Sequence, residues 1–274
     1  MKQNAYAKLN LALAITGRRS DGYHTLDMIM QQIDLHDVVE MERAEGLHVF
    51  CGDVCDMRQN TAYRAARLFF ERTGIPPGVS IQIEKHIPPQ AGLGGGSSDA
   101  ATVLLMLNKL FHAGLSAEEL AGIAVRVGAD VPFFLVGGCA RAQGVGEALF
   151  PLQNNCKFSY VLVKPECGVD TAAAYAAYHT LPTEPVDVQG AAHALFAGDA
   201  QAYFASAGNA LFSAGRALCP EVGRAVSDCR AQGARFAMMT GSGSCVFAVF
   251  DDPAPAAAAL REKYPFVAVA HDLR

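Results

Sequence analysis

The run Pro88-Pro89-Gln90-Ala91-Gly92-Leu93-Gly94-Gly95-Gly96-Ser97-Ser98 holds the densest chemistry in the chain. Glycines let a backbone approach an anion closely and take positive φ without a Cβ clash. A helix follows, with Ala100, Leu104, Leu107 and Phe111 on one face. Its unpaired first-turn N–H groups and the positive end of its dipole therefore point back at the loop. Ser97 and Ser98 add hydroxyl donors, and the whole suits a chain of phosphates. Two common phosphate motifs do not fit. No Lys follows the run, as the P-loop pattern G-x-x-x-x-G-K-S/T requires, and G-x-G-x-x-G counted from Gly92 ends on Ser97. A turn without a ligand is the plain alternative, but Gly92, Gly94, Gly95 and Gly96 together would make a poorly stable surface loop.

Three other groups of residues could act on what such a loop holds. A helix opens at Ser116, which forms a capping box with Glu119, while Leu115 and Leu120 are placed as its hydrophobic staple. It stops at Gly128, so Asp130 sits in a short loop just beyond, free to accept a proton or merely to cap its neighbours. Asn4–Thr16 alternates as a strand and puts Tyr6, Lys8, Asn10 and Ala12 on one face. A second glycine turn, Thr240-Gly241-Ser242-Gly243-Ser244, lies between the strands Phe236–Met239 and Val246–Phe250.

The elements that must hold these groups interleave as strands and helices in both halves. Leu26–Glu42, Leu47–Cys51, Val79–Lys85 and Phe158–Lys164 read as strands, with Phe266–Ala270 closing the chain. Thr61–Thr73 reads as a helix capped by Asn60 and stopped by Gly74. Further helices are expected at Pro220–Gln232 and near Ala256–Lys263. At 274 residues, 51% of them hydrophobic, the chain can bury two cores. The expected class is α/β (α+β) with room for two domains, the texture changing from about Lys157.

Composition excludes several functions. A net charge of −5 argues against broad nucleic-acid binding. Val131–Ala140 is too short to span a bilayer, and the N-terminal apolar run is broken by Asn10, so no membrane segment or signal peptide is expected. A cytoplasmic protein follows. The eight Cys are sparse for a stapled scaffold and lack zinc spacing, so reduced, mostly buried thiols are expected. His36, His48, His86, His112, His179, His193 and His271 show no paired spacing and read as surface or core.

Pro89–Asp99 resembles the ATP loop of the galactokinase, homoserine kinase, mevalonate kinase and phosphomevalonate kinase (GHMP) superfamily. The particular form Ala91–Ala101 is similar to that of its 4-diphosphocytidyl-2-C-methyl-D-erythritol kinases. Ala7-Lys8-Leu9-Asn10-Leu11 with Asp21-Gly22-Tyr23-His24, Gly128–Pro132 and Thr240–Cys245 agree with the same family. Homoserine and mevalonate kinases, the nearest alternatives, carry a shorter loop and lack the Asp21–His24 motif. The resemblance implies an N-terminal ATP-binding domain of ribosomal-protein-S5-like type, 1–152, a C-terminal ferredoxin-like domain, 153–274, and an active site in the cleft between them, with a return of the last strand to the first domain left open. It implies ATP-dependent phosphorylation of the 2-hydroxyl of 4-diphosphocytidyl-2-C-methyl-D-erythritol in the non-mevalonate isoprenoid pathway, with Mg²⁺ accompanying ATP. Asp130 and Lys8 are then the catalytic pair, and Asn60, Lys85 and the residues from Pro88 to Ser98 hold ATP. Tyr23 and His24 recognise cytosine, Thr171 and Tyr175 close over the same base, and Asn10, Gly241 and Gly243 contact the substrate. The metal ligands stay unassigned, with Ser97 and Ser98 as candidates.

Overall fold

A computed structural model describes residues 1–20, 22–52 and 60–273. Asp21 of the N-terminal motif lies outside them. The chain forms two compact units, one from Met1–Ala7, Leu35–Ile87 and Gly94–Gly137, the other from Lys8–Asp34, Pro88–Leu93 and Gly138–Arg274. The long strands β1 (Lys2–Arg18) and β2 (His24–Arg43) are paired and contribute residues to both.

In the first unit, β2 pairs antiparallel with β4 (Gly78–Glu84), from Val38 opposite Glu84 to Arg43 opposite Val79. β3 (Gly46–Phe50) lies parallel on the other edge of β4. Alternation along β4 buries Val79, Ile81 and Ile83 and turns Gln82 and Glu84 out. Four helices pack on one another: α1 (Thr61–Thr73), α2 (Gly95–Leu110), α3 (Ala117–Val127) and α4 (Val131–Val136). The expected caps are present. Asn60 Oδ1 accepts from the amides of Ala62 (2.8 Å) and Tyr63 (3.3 Å), and Gly74 ends α1 in the left-handed region. Ser116 and Glu119 close the capping box of α3, which stops at Gly128. Phe69, Leu104, Leu107 and Phe133 fill the core between these helices.

In the second unit, β5 (Cys139–Gly144) joins the N-terminal half of β2, Leu26 opposite Gly144, and β6 (Ala148–Pro151) joins β5. A separate four-stranded antiparallel sheet runs β10-β7-β9-β8, from β7 (Ser159–Lys164), β8 (Phe236–Met239), β9 (Val246–Phe250) and β10 (Phe266–His271). Its connections are helical: α5 (Thr171–Tyr178), α6 (Val188–Ala197), α7 (Ala200–Ser206), α8 (Phe212–Leu218) and α9 (Glu221–Ala231) lead from β7 to β8, and α10 (Ala254–Arg261) from β9 to β10. A β-α-β-β-α-β order with strands arranged 4-1-3-2 is the ferredoxin-like plan. The last strand pairs with β7, and beyond it Asp272 bridges to Ile33, both within this unit.

One expectation is corrected here. Cys167 and Cys219 form a disulfide, their Cα atoms 6.2 Å apart, so these two thiols are not reduced. A separation of 52 residues carries no spacing signal, and only the folding of the α5–α8 connection brings the two together. Cys139, Cys156, Cys229 and Cys245 are free and buried, as expected.

Candidate active site

The first-unit residues cluster around the start of α2. Gly94 is its N-cap, at φ 71°, and gives no side-chain hydrogen bond; Ser98 N–H makes the first helical bond, to Gly94 O at 2.9 Å. Gly95 and Gly96 therefore belong to the first helical turn. The amides of Gly95, Gly96 and Ser97 have no acceptor within the helix. By contrast α1, α3, α5, α6 and α7 spend a side-chain oxygen of Asn60, Ser116, Asp170, Asp187 and Asp199 on the same positions. Gly95 also packs tightly, because a Cβ there would stand 3.0 Å from Ile87 Cγ2, and that side chain would have to give by a few tenths of an ångström. Asp130 is the N-cap residue of α4, which packs on α2, and its carboxylate makes no capping bond. Asp130 therefore does not cap α4 through its side chain.

Lys85 and Asn60, read as nucleotide contacts, have other bonds as well. Asn60 caps α1. The Lys85 ammonium bonds Asp99 Oδ2 at 2.7 Å and also Asp37, whose Oδ1 accepts from the amides of His86 (2.6 Å) and Ile87 (2.8 Å). Burial lowers the affinity of Lys85 for its proton, but Asp99 and Asp37 together hold its pKa above the ordinary value. Burial, partly offset by Lys85 and reinforced by Asp37, pushes the Asp99 carboxyl well above its usual range. Among the described residues Asp99 Oδ1 is buried without a hydrogen-bond partner, so part of the burial cost of the carboxylate goes unrelieved. Asp37 and Asp99 escaped the sequence reading, although Asp99 adjoins Ser98.

The second-unit residues form two groups. Lys8 and Asn10 are 3% and 2% exposed, so the polar face of β1 is buried, and Lys8 Nζ donates to Asn10 Oδ1. The Lys8 amide bonds Leu93 O at 3.0 Å, and Asn10 N–H bonds Thr240 Oγ1 at 2.9 Å. Both glycine turns thus dock on one strand. They also dock on each other. Ser244 N–H bonds Gln90 O and Cys245 N–H bonds Ala91 O, each at 3.2 Å, and a Cβ on Gly92 would lie 2.2 Å from Thr240 O. Gly241 and Gly243 take positive φ, at 56° and 96°, to turn the chain here. Asn209, which no sequence pattern marks, donates to Met239 O and Gly241 O at 2.8 Å and braces the turn. Pro88, Pro89 and Leu93 complete the loop, with Leu93 buried.

The other group surrounds His24. Its ring stacks on Tyr175 at 4.8 Å and 19°, and Tyr23, the next residue along the chain, is 67% exposed. Thr171 begins α5 and shares a 2.9 Å hydrogen bond with Ser242 of the second glycine turn. The segment around Tyr175 is the helix α5.

Residues 60–138 match the family model "GHMP kinases N terminal domain" and residues 191–265 match "GHMP kinases C terminal". A homoserine kinase from Cytophaga hutchinsonii superposes with a TM-score of 0.75 over 100% of this chain and 94% of its own, at 18% identity, which speaks for the fold. The fold is that of the GHMP kinases, which use ATP.

Within that class the likeness narrows. A 4-diphosphocytidyl-2-C-methyl-D-erythritol kinase of Desulfitobacterium hafniense (strain Y51) is 44% identical over 98% of this chain and 94% of its own length. A crystal structure of 4-(cytidine 5'-diphospho)-2C-methyl-D-erythritol kinase, 37% identical, superposes with a TM-score of 0.85 over 99% of both chains. The chain belongs to the 4-diphosphocytidyl-2-C-methyl-D-erythritol kinase family.

Proposed function

We propose that this chain transfers the γ-phosphoryl group of ATP to the 2-hydroxyl of 4-diphosphocytidyl-2-C-methyl-D-erythritol, giving the 2-phosphate and ADP, in the cytoplasm. The observation that carries the reading is the start of α2: three amides left unclaimed by any capping side chain, with Asp130 on the helix packed beside it. The acceptor follows from the relatives' names and from the aromatic group at Tyr23, His24 and Tyr175.

Phosphoryl transfer asks a protein mainly for positioning and charge stabilisation. The amides of Gly95, Gly96 and Ser97, with the hydroxyls of Ser97 and Ser98, bind and neutralise phosphate oxygens. The Asp130 carboxylate accepts the proton of the 2-hydroxyl, or orients it, as the oxygen bonds phosphorus. The Lys8 ammonium offsets negative charge on the transferring group. Asn10, Gly241 and Gly243 contact the acceptor, Thr171 helps close over its base, and Asn60, Lys85 and Pro88–Leu93 line the nucleotide side.

Mg²⁺ fits the donor set at the loop, since the Ser97 and Ser98 hydroxyls are hard oxygen donors of the kind it prefers. When bound with ATP it supplies charge neutralisation on the phosphates. The two family-model matches leave the division between residues 139 and 190, a range that contains residue 152.

The test is an acceptor panel with purified protein, ATP and Mg²⁺. Turnover of the cytidine-diphospho substrate, with none of homoserine or mevalonate, is expected. Turnover of either rival alone refutes the assignment.

A further inference from the structure

His179 belongs to no motif in the sequence, yet its Nε2 lies 2.9 Å from Nε2 of His24, across 155 positions of chain. The two ring centroids are 4.9 Å apart. His179 is the C-cap residue of α5, so the helix that supplies Tyr175 to one side of the His24 ring supplies this bond as well. Tyr178, in the last turn of the same helix, meets the His24 ring edge-on at 6.2 Å.

Two imidazoles that share a hydrogen bond cannot both donate along it. One gives its Nε2 proton and the other accepts it, so the two tautomers are coupled: with His179 as donor, His24 carries its own proton on Nδ1, the form that can donate to the bare N3 of cytosine. Burial, then the proximity of His179 and Arg18, lowers the pKa of His24, which favours the neutral ring this bond requires. With Nε2 committed, Nδ1 is the ring nitrogen of His24 left to meet a ligand.

We propose that His179 is a positioning residue for base recognition, holding the His24 ring beside Tyr175 in a single tautomer so that Nδ1 reads the cytosine edge. The proposal rests on the reading of Tyr23, His24 and Tyr175 as the base subsite. Its consequence is selectivity. Cytosine offers an exocyclic amine and a bare ring N3 where uracil offers a carbonyl and an N3–H, so a fixed tautomer separates them better than a mixture does.

The test uses His179→Ala, His179→Gln, His24→Ala and the double variant His24→Ala/His179→Ala. Losing one neutral hydrogen bond predicts a rise of about five- to tenfold in KM for the cytidine substrate in His179→Ala, with kcat and the KM for ATP within about twofold. His179→Gln, which returns an amide near the position of Nε2, should recover most of the loss. In the His24→Ala background the same substitution should add nothing further. Independently of any substrate, nitrogen-15 spectra of the unliganded protein should show one dominant His24 tautomer in the wild type and averaged shifts in His179→Ala. An unchanged His24 spectrum, or a KM rise that persists without His24, overturns the proposal. If the wild type fails to turn over the cytidine substrate, the functional reading fails, and the tautomer spectra still decide whether His179 holds His24.

Discussion

Gly92→Ala probes the docking of the two glycine turns. Gly92 has φ 72°, where an L side chain costs about 1–2 kcal/mol. Its new Cβ would stand 2.2 Å from Thr240 O, where ordinary contact begins at 3.4 Å, so something must move by about 1 Å. The atom in the way is backbone, in a turn held by Asn10 N–H on Thr240 Oγ1, by Thr240 N–H on Cys245 O and by Asn209 on Gly241 O. Overpacking against such a neighbour costs about 1–3 kcal/mol more. The total, about 3 kcal/mol, corresponds to a fall in Tm of about 6–12 °C for a chain of this size. Gly74→Ala is the control, because Gly74 has φ 70° with nothing within 4 Å of its would-be Cβ. It bears the backbone cost alone, about 1–2 kcal/mol or roughly 2–8 °C. Thermal melts followed by circular dichroism separate the two. If Gly92→Ala melts at the same temperature as Gly74→Ala, the turns do not meet as described.

Asp130→Asn should lower kcat by about 10²–10⁴-fold while leaving the affinity for an ATP analogue nearly unchanged, read by single-turnover kinetics and calorimetry. Unchanged turnover would remove Asp130 from the mechanism. Burial pushes the Asp272 carboxyl up to about 6 from 3.8, although Tyr160 O–H, the Phe158 amide and Asn154 all donate to it. The unfolded chain then binds fewer protons than the folded one between those values, so stability falls as pH rises from about 4 to about 6. This group contributes on the order of 3 kcal/mol. Asp272→Asn should flatten that slope in urea titrations, and the raised Asp99 carboxyl, acting with the same sign, should leave part of it. An equally steep slope in the variant would refute the assignment. Alkylation of the denatured, unreduced protein should label Cys51, Cys139, Cys156, Cys229 and Cys245, with Cys167 and Cys219 recovered as one cross-linked peptide by mass spectrometry.

Where the signals are local, the sequence is readable. Asn60 and Gly74 bound α1, and Ser116 with Glu119 opens α3, because each cap needs only residues within one turn of itself. The helices α6, α7 and α8 carry no such contrast. Their alanines neither mark a face nor break a period, and only Asp187 and Asp199 betray two of the starts. The apolar run from Val131 divides at Gly137 and Gly138 into a short helix and a strand, a division that periodicity cannot make over so few residues. The site divides the same way. The glycine loop declares itself by type and spacing, whereas Lys8, Asn10 and Asp130 take their roles from the family resemblance of the motifs around them. Asp37, Asn209 and His179 matter through partners about 30 to 155 positions away, which only folding supplies. Asp99 lay beside the loop and was legible as a neighbour, but not as the buried acid that shares Lys85 with Asp37.

The most direct trial of the account is a crystal structure with a non-hydrolysable ATP analogue, Mg²⁺ and the cytidine-diphospho alcohol bound. The account predicts phosphate oxygens within hydrogen-bond reach of the Gly95, Gly96 and Ser97 amides, and the 2-hydroxyl against the Asp130 carboxylate. A triphosphate seated away from the start of α2, or an acceptor hydroxyl beyond the reach of Asp130, would contradict it.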